Sequence, residues 1–242
     1  MSPVIPLSLA AVAAAGGLSL TPAILEQTAR SNATGTVTVS NSTNRKLKIT
    51  VQPRPWRQAR DGAVAADRRR TLDRYVRAST SSFTLNAGAQ RSVSVTLRRV
   101  PARRSLYGSI EVVGRPTKKR AGINVVHRLI GSLRFHPTRA ARKLKLNAGT
   151  ARVTGRGSSR ALELRVRNGG NTIDPVGGSV VISGPRGGRS GGIASKAILP
   201  GKQIDLRLAS LRGLPRGSYT ASVTLSQAGR NRLSVSRRFR IR

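Results

Sequence analysis

The stretch Thr36–Val51, TVTVSNSTNRKLKITV, decides the fold. Val37 and Val39 alternate with threonine and serine, and Leu47, Ile49 and Val51 alternate with lysine and threonine. A period of two gives each segment one face for a core and one for water, which predicts two strands. Between them, Asn41-Ser42-Thr43-Asn44 is turn chemistry, because asparagine tolerates left-handed φ and bonds its own backbone. The expected local structure is a hairpin. The same design returns at Ala161–Ile182, ALELRVRNGGNTIDPVGGSVVI. There Leu162, Leu164 and Val166 alternate with charged residues, Asn168-Gly169-Gly170-Asn171 makes the turn, and a valine-rich strand follows.

Two further landmarks repeat in the same order. FTLNAGAQRSVSVTL (Phe83–Leu97) matches KAILPGKQIDLRL (Lys196–Leu208), and LYGSIEVV (Leu106–Val113) matches LPRGSYTASVTL (Leu214–Leu225). Three landmarks in one order, used twice at a spacing far too long for a solenoid, predict tandem domains. The 242 residues suit two small domains. The fold class is therefore all-β, two tandem antiparallel β-sandwiches. Their expected bounds are 18–137 and 161–242, with a linker and opening strand over 138–160.

Composition narrows the chemistry. Aromatics are only 3%, so the cores must rest on Val, Ile and Leu. Against 45 Lys+Arg stand 8 Asp+Glu, a net charge of +37, with arginine far outnumbering lysine. Arginine forms flat two-point hydrogen bonds to carboxylate and phosphate, so an anionic partner is expected: wall polymer, anionic lipid, acidic glycan or nucleic acid. The bland alternative is a solvated basic surface. With no cysteine there is no disulfide, thiol nucleophile or thiolate metal site. The acids are scattered, and the two histidines, His127 and His136, do not make a metal-binding pair on a helix. No dinucleotide loop or P-loop is present, so a non-enzymatic protein without cofactor or metal is expected.

In chain order, residues 1–17 are apolar and end in small residues, including Ala13 to Ala15, like a secretory signal peptide. Export to the cell envelope, periplasm or exterior is the expectation, with no second apolar run to serve as an anchor. Leu18–Leu25, with Pro22, reads as an edge strand. Gln52–Ser82 is irregular and arginine-rich, with Leu72, Tyr75 and Val76 at helical spacing. Its Trp56 reads as a plug where the sheet opens or as a flat platform for a sugar or base. Trp56, Arg57, Arg68, Arg69, Arg70 and Arg74 are the candidate anion- or partner-binding set. Ile123–Phe135 puts Ile123, Val125 and Leu129 on one face and Val126 and Ile130 on the other. A strand apolar on both faces is central or covers a neighbour, and these five are the candidate strand-pairing residues. Gly177–Gly192 reads as a long hairpin loop, and the C-terminal strand carries a basic stripe of Arg232, Arg238, Arg240 and Arg242.

The V-x-N-x-x-N segment (Val39–Asn44), Trp56 beyond it, FTLNAG, LYGSIEV and the long strand ending LRFHP carry a family resemblance over about residues 18–137. This region resembles the N-terminal immunoglobulin-like domain of the PapD-like superfamily, which includes periplasmic pilus chaperones. It is similar as well to the N-terminal domain of WxL-interacting surface proteins of Gram-positive bacteria. The rest resembles a generic bacterial Ig-like module. The resemblance implies a polypeptide partner, either another envelope protein or a surface subunit paired through the long strand. In pilus chaperones a basic pair grips the subunit's terminal carboxylate. By the LRFHP match one of its positions falls at Ser132, and no basic residue precedes Arg30 in the first strand.

Overall fold

The computed structural model describes residues 17–118, 123–185 and 187–242. The signal-like residues 1–16 lie outside the described residues. The N-terminal half contains ten strands: β1 (Leu18–Thr21), β2 (Ile24–Thr28), β3 (Ala33–Asn41), β4 (Leu47–Gln58), β5 (Val64–Ala66), β6 (Val76–Ala78), β7 (Ser82–Leu85), β8 (Gln90–Leu97), β9 (Leu106–Pro116) and β10 (His127–His136). One sheet runs β1-β3-β8-β6, and the facing sheet runs β2-β10-β9-β4-β5 with β7 also on β4. The expected single edge strand at 18–25 is two edge strands, one in each sheet, because the chain changes sheet at the cis Thr21–Pro22 bond. The helical spacing of Leu72 and Val76 yields one turn, with Val76 N–H donating to Leu72 O at 2.8 Å.

The C-terminal half contains β11 (Leu146–Thr154), β12 (Ala161–Asn168), β13 (Val176–Gly184), β14 (Gly187–Lys196), β15 (Gln203–Ser210), β16 (Gly217–Gln227) and β17 (Arg230–Ile241). They form sheets β11-β12-β15 and β14-β13-β16-β17. The glycine-rich segment expected as a loop is instead the paired strands β13 and β14. Backbone pairing needs no side chain, and β14 sits at an exposed edge where it has little core to fill. On β17 the basic stripe is exposed, while Phe239 and Ile241 are buried between its members.

Alternation sends one side chain in two inward, so each sandwich closes its own core. The first gathers Val37, Val39, Ile49, Val95, Ile110 and Phe135, and the second Leu164, Val166, Ile182, Leu206, Val223 and Leu225. This is the two-sandwich, all-β architecture expected from the repeats.

The two asparagine segments are not hairpins. β3 pairs with β1 and β8, whereas β4 pairs with β7, β9 and β5 in the opposite sheet. The chain therefore arches across the core, and the asparagine side chain holds the arch. Asn41, 1% exposed, donates through Nδ2 to the carbonyls of Arg45 (2.8 Å), Asn86 (2.9 Å) and Leu85 (3.2 Å). Its Oδ1 accepts from Thr43 N–H (3.1 Å) and Oγ1 (2.6 Å). Asn168, 0% exposed, repeats this, donating to Thr172 O and Ile198 O at 2.7 Å each and accepting from Gly170 N–H at 2.9 Å. In both halves a glycine in the left-handed region then closes the neighbouring corner. Gly88 (φ +70) donates to Asn41 O and Gly201 (φ +79) to Asn168 O, each at 2.8 Å.

Candidate functional site

β10 has one fully paired side and one half-paired side. It meets β9 from His127 to Phe135, but β2 reaches only Ser132–His136, with Ile24 opposite Ser132. Ser132 N–H donates to Ala23 O at 2.8 Å. By alternation, the backbone groups of Arg128 and Ile130 face the same side, where no strand lies among the described residues. Exposed apolar residues cluster here: Ile123 (91%), Val125 (54%), Val126 (52%) and Ile130 (45%). Only Leu129 of the five strand-pairing candidates packs against the core. As a strand apolar on both faces requires, β10 lies inside its sheet between β2 and β9, but only its downstream half is covered on the β2 side. Residues 123–126 precede the strand, and the upstream half of β10 is open because β2 is too short to cover it. An open edge beside apolar side chains is a template for an added strand.

A buried ion pair ties this edge to the arginine-rich loop. Glu111 on β9, opposite Ile130, is 6% exposed and binds both Arg54 and Arg128. Arg54 also donates to Gln52 Oε1 (2.7 Å) and to the carbonyls of Arg68 (2.9 Å) and Arg70 (3.3 Å). Leaving the Glu111 carboxylate without these guanidiniums would strand a charge in the sheet, so the contacts form together.

Behind that loop lies a cleft of about 560 Å³ between the two sandwiches. Of the anion-binding candidates, Trp56, Arg57, Arg69 and Arg70 line it. Arg68 and Arg74 do not; Arg74 instead lies 5.7 Å from the centre of the Tyr75 ring. Trp56 is half-buried against the cleft and outside the core cluster, so it forms a wall and not a core plug. The sequence reading missed Arg103, Ser105, Tyr107 and Lys202, which complete the lining. Nothing local marks these residues, because the packing of the two halves brings them together.

Direct hydrogen bonds fix the junction. Gln58 donates to Ala197 O and accepts from Leu199 N–H, both at 2.9 Å. Lys196 Nζ donates to Asp61 O (2.7 Å), and Asn171 Nδ2 donates to Arg103 O (2.9 Å) and Ala141 O (2.8 Å). Burial pushes the Tyr107 hydroxyl well up from its ordinary range, so at neutral pH it is a donor, aimed at Asn171 O at 3.4 Å. On the other side of the junction, Arg134 donates to Glu26 at 2.7 Å and Arg142 to Asp174 at 2.9 Å. The hydrogen bond from Arg134 is the main cause that holds the Glu26 carboxyl below its usual value. Burial alone would raise Asp174, but Thr172 and Arg142 outweigh it and lower that carboxyl too.

Among the described residues no three His, Asp or Glu side chains gather as a metal site, and no helix is long and apolar enough to cross a membrane. Five of the eight acids are engaged with basic side chains: Glu26, Glu111, Glu163, Asp174 and Asp205.

No family model matches the sequence, and no curated protein matches it. Solved structures do match. The chain superposes on one from a chaperone–tip adhesin complex of CFA/I fimbriae biogenesis with a TM-score of 0.55 at 14% identity, covering 92% of this chain and 98% of that one. It superposes on CfaA, a class 5 fimbriae chaperone, with a TM-score of 0.53 at 13% identity, covering 93% and 98%. The chain therefore shares the fold of these two structures, one Ig-like β-sandwich followed by a second. Of the basic pair implied by the family resemblance, the position matched in the long strand is Ser132, which lies opposite Ile24 of β2, and the strands before Arg30 carry no basic residue.

Proposed function

We propose that this chain is a non-enzymatic, exported polypeptide-binding protein of the cell envelope that holds an extended segment of a partner protein on the outer edge of β10. The observation that carries this is the backbone of Arg128 and Ile130, unpaired on its outer side among the described residues, beside exposed Val125, Val126 and Ile130. Backbone pairing supplies affinity along such an edge, and the apolar side chains select an alternating sequence. The match in fold to fimbrial chaperones supports the reading, because CfaA is a chaperone by its description. The missing basic pair separates this chain from capture through a terminal carboxylate at that position. Affinity must come from the strand itself.

The test is titration of the full chain with an alternating valine-threonine peptide of roughly ten residues, long enough for a typical strand. Val126→Ser with Ile130→Ser should weaken binding at least tenfold. Both side chains are exposed, so unfolding should shift by no more than about 0.5 kcal/mol. Binding that ignores both changes would rule the edge out.

A further inference from the structure

Five cationic side chains line the cleft between the sandwiches: Arg57, Arg69, Arg70, Arg103 and Lys202. None makes an ion pair or a side-chain hydrogen bond among the described residues, whereas most of the acids elsewhere are matched to arginine. The one acid in the lining, Asp67, spends an oxygen on Arg69 N–H at 3.0 Å. All five cationic side chains are exposed at the cleft, and like charges gathered around one concave surface raise the local positive potential and favour an anion there. A second observation points the same way. Ser105 lines the cleft, is 6% exposed, and its Oγ has no hydrogen-bond partner among the described residues. A buried hydroxyl left unsatisfied costs about 1–3 kcal/mol. Rotation of the Ser105 side chain toward the cleft would let a ligand oxygen remove that cost. Trp56 adds a flat apolar wall beside these donors.

We infer that the cleft is a binding site for a phosphate group carried next to a ring. A carboxylate is satisfied by a single guanidinium fork, but a phosphate offers more oxygens and can use several forks and a hydroxyl at once. The ring stacks on Trp56, as aromatic and sugar rings do on indole. The cleft draws Arg57, Arg69 and Arg70 from one sandwich and Lys202 from the other, so the bound phosphate bridges the two. This site is independent of the strand edge on β10 and uses none of its residues.

Trp56 is the only tryptophan, so its fluorescence reports the site directly. The full chain is titrated at fixed ionic strength with adenosine 5′-monophosphate, a sugar phosphate, inorganic phosphate and adenosine. The two ring-bearing phosphates should shift Trp56 emission saturably and bind more tightly than inorganic phosphate, and adenosine should not bind. The nucleotide and the sugar phosphate together separate a base from a sugar as the favoured ring. Arg57→Gln with Arg70→Gln should weaken binding roughly tenfold or more, the size of a lost charge-assisted bond. Ser105→Ala should weaken it several-fold without lowering the melting temperature, which a purely structural serine would not do. Arg232→Gln with Arg238→Gln, on β17, removes equal charge away from the cleft and should change nothing. Equal weakening by both double variants, or a response to adenosine equal to that for the nucleotide, would overturn the proposal.

Discussion

The two asparagine arches are one device in two settings. Asn41 and Asn168 occupy the same place in their sandwiches, each fully buried and each bonded to its own loop and to the facing corner. What they abut differs. The first arch leans on the connection between β9 and β10, where Arg45 donates to Lys118 O at 2.8 Å and Thr117 N–H to Lys46 O at 3.1 Å. The second leans on the junction, where Asn171 reaches Arg103 O, Ala141 O and Lys143 N–H. The shared asparagine holds each sandwich, while the neighbour of each arch places a different site: an open strand edge in one case, a charged cleft in the other.

Replacing each asparagine tests whether the device is shared. Asn41→Ala and Asn168→Ala should each cost about 3–5 kcal/mol, since each leaves several buried groups without partners. Urea unfolding measures the loss. The two should differ in reach: Asn168→Ala should alter Trp56 emission in the native state, and Asn41→Ala should not. Equal changes in emission would break the comparison. Glu111→Gln should follow at about 3 kcal/mol in thermal unfolding, the lower end of the range for breaking a buried ion pair because Arg128 is partly solvated. It should also free residues 67–70 for proteolysis, since Arg54 would lose its anchor. Asn171→Ala removes three bonds at the rim of the junction and should cost about 1–2 kcal/mol, with no effect on the β10 edge.

The smallest effect is that of acid. Glu26 and Asp174 both have folded-state values below their ordinary 4.5 and 3.8. A lowered carboxyl stabilises the fold above its ordinary value, and that contribution is lost as pH falls through the lower folded value. Thermal unfolding should therefore show undiminished stability from about pH 5 to 8 and a loss only below about pH 4. A loss already near pH 6 would assign the acid sensitivity to other groups.

Much of the fold was legible because β-sandwiches write their cores as alternation. Val37, Val39, Leu164 and Val166 all face inward as their spacing requires. Alternation does not say which strand is the neighbour, so the arches at Asn41 and Asn168 read as hairpins. A hairpin and an arch both need a polar turn between two half-apolar strands. Glycine misled in the other direction: the segment at 177–192 has backbone pairing without side chains to mark it. The site was legible in part. The apolar run at 123–130 signalled the edge, but its openness depends on where β2 stops, which is a tertiary fact. Trp56 and Arg57 stood out as residue types, whereas Ser105 and Lys202 acquire meaning only where the two halves meet.

Residue-resolved hydrogen exchange along β10, in the full chain without partner, tests the open edge most directly. The amides of Arg128 and Ile130 should exchange as freely as those of an exposed loop, while those of Leu129, paired to β9, and Ser132, bonded to Ala23, should be strongly protected. Even protection from His127 to His136 would mean that the edge is already covered, and the chain would have no strand site to offer a partner.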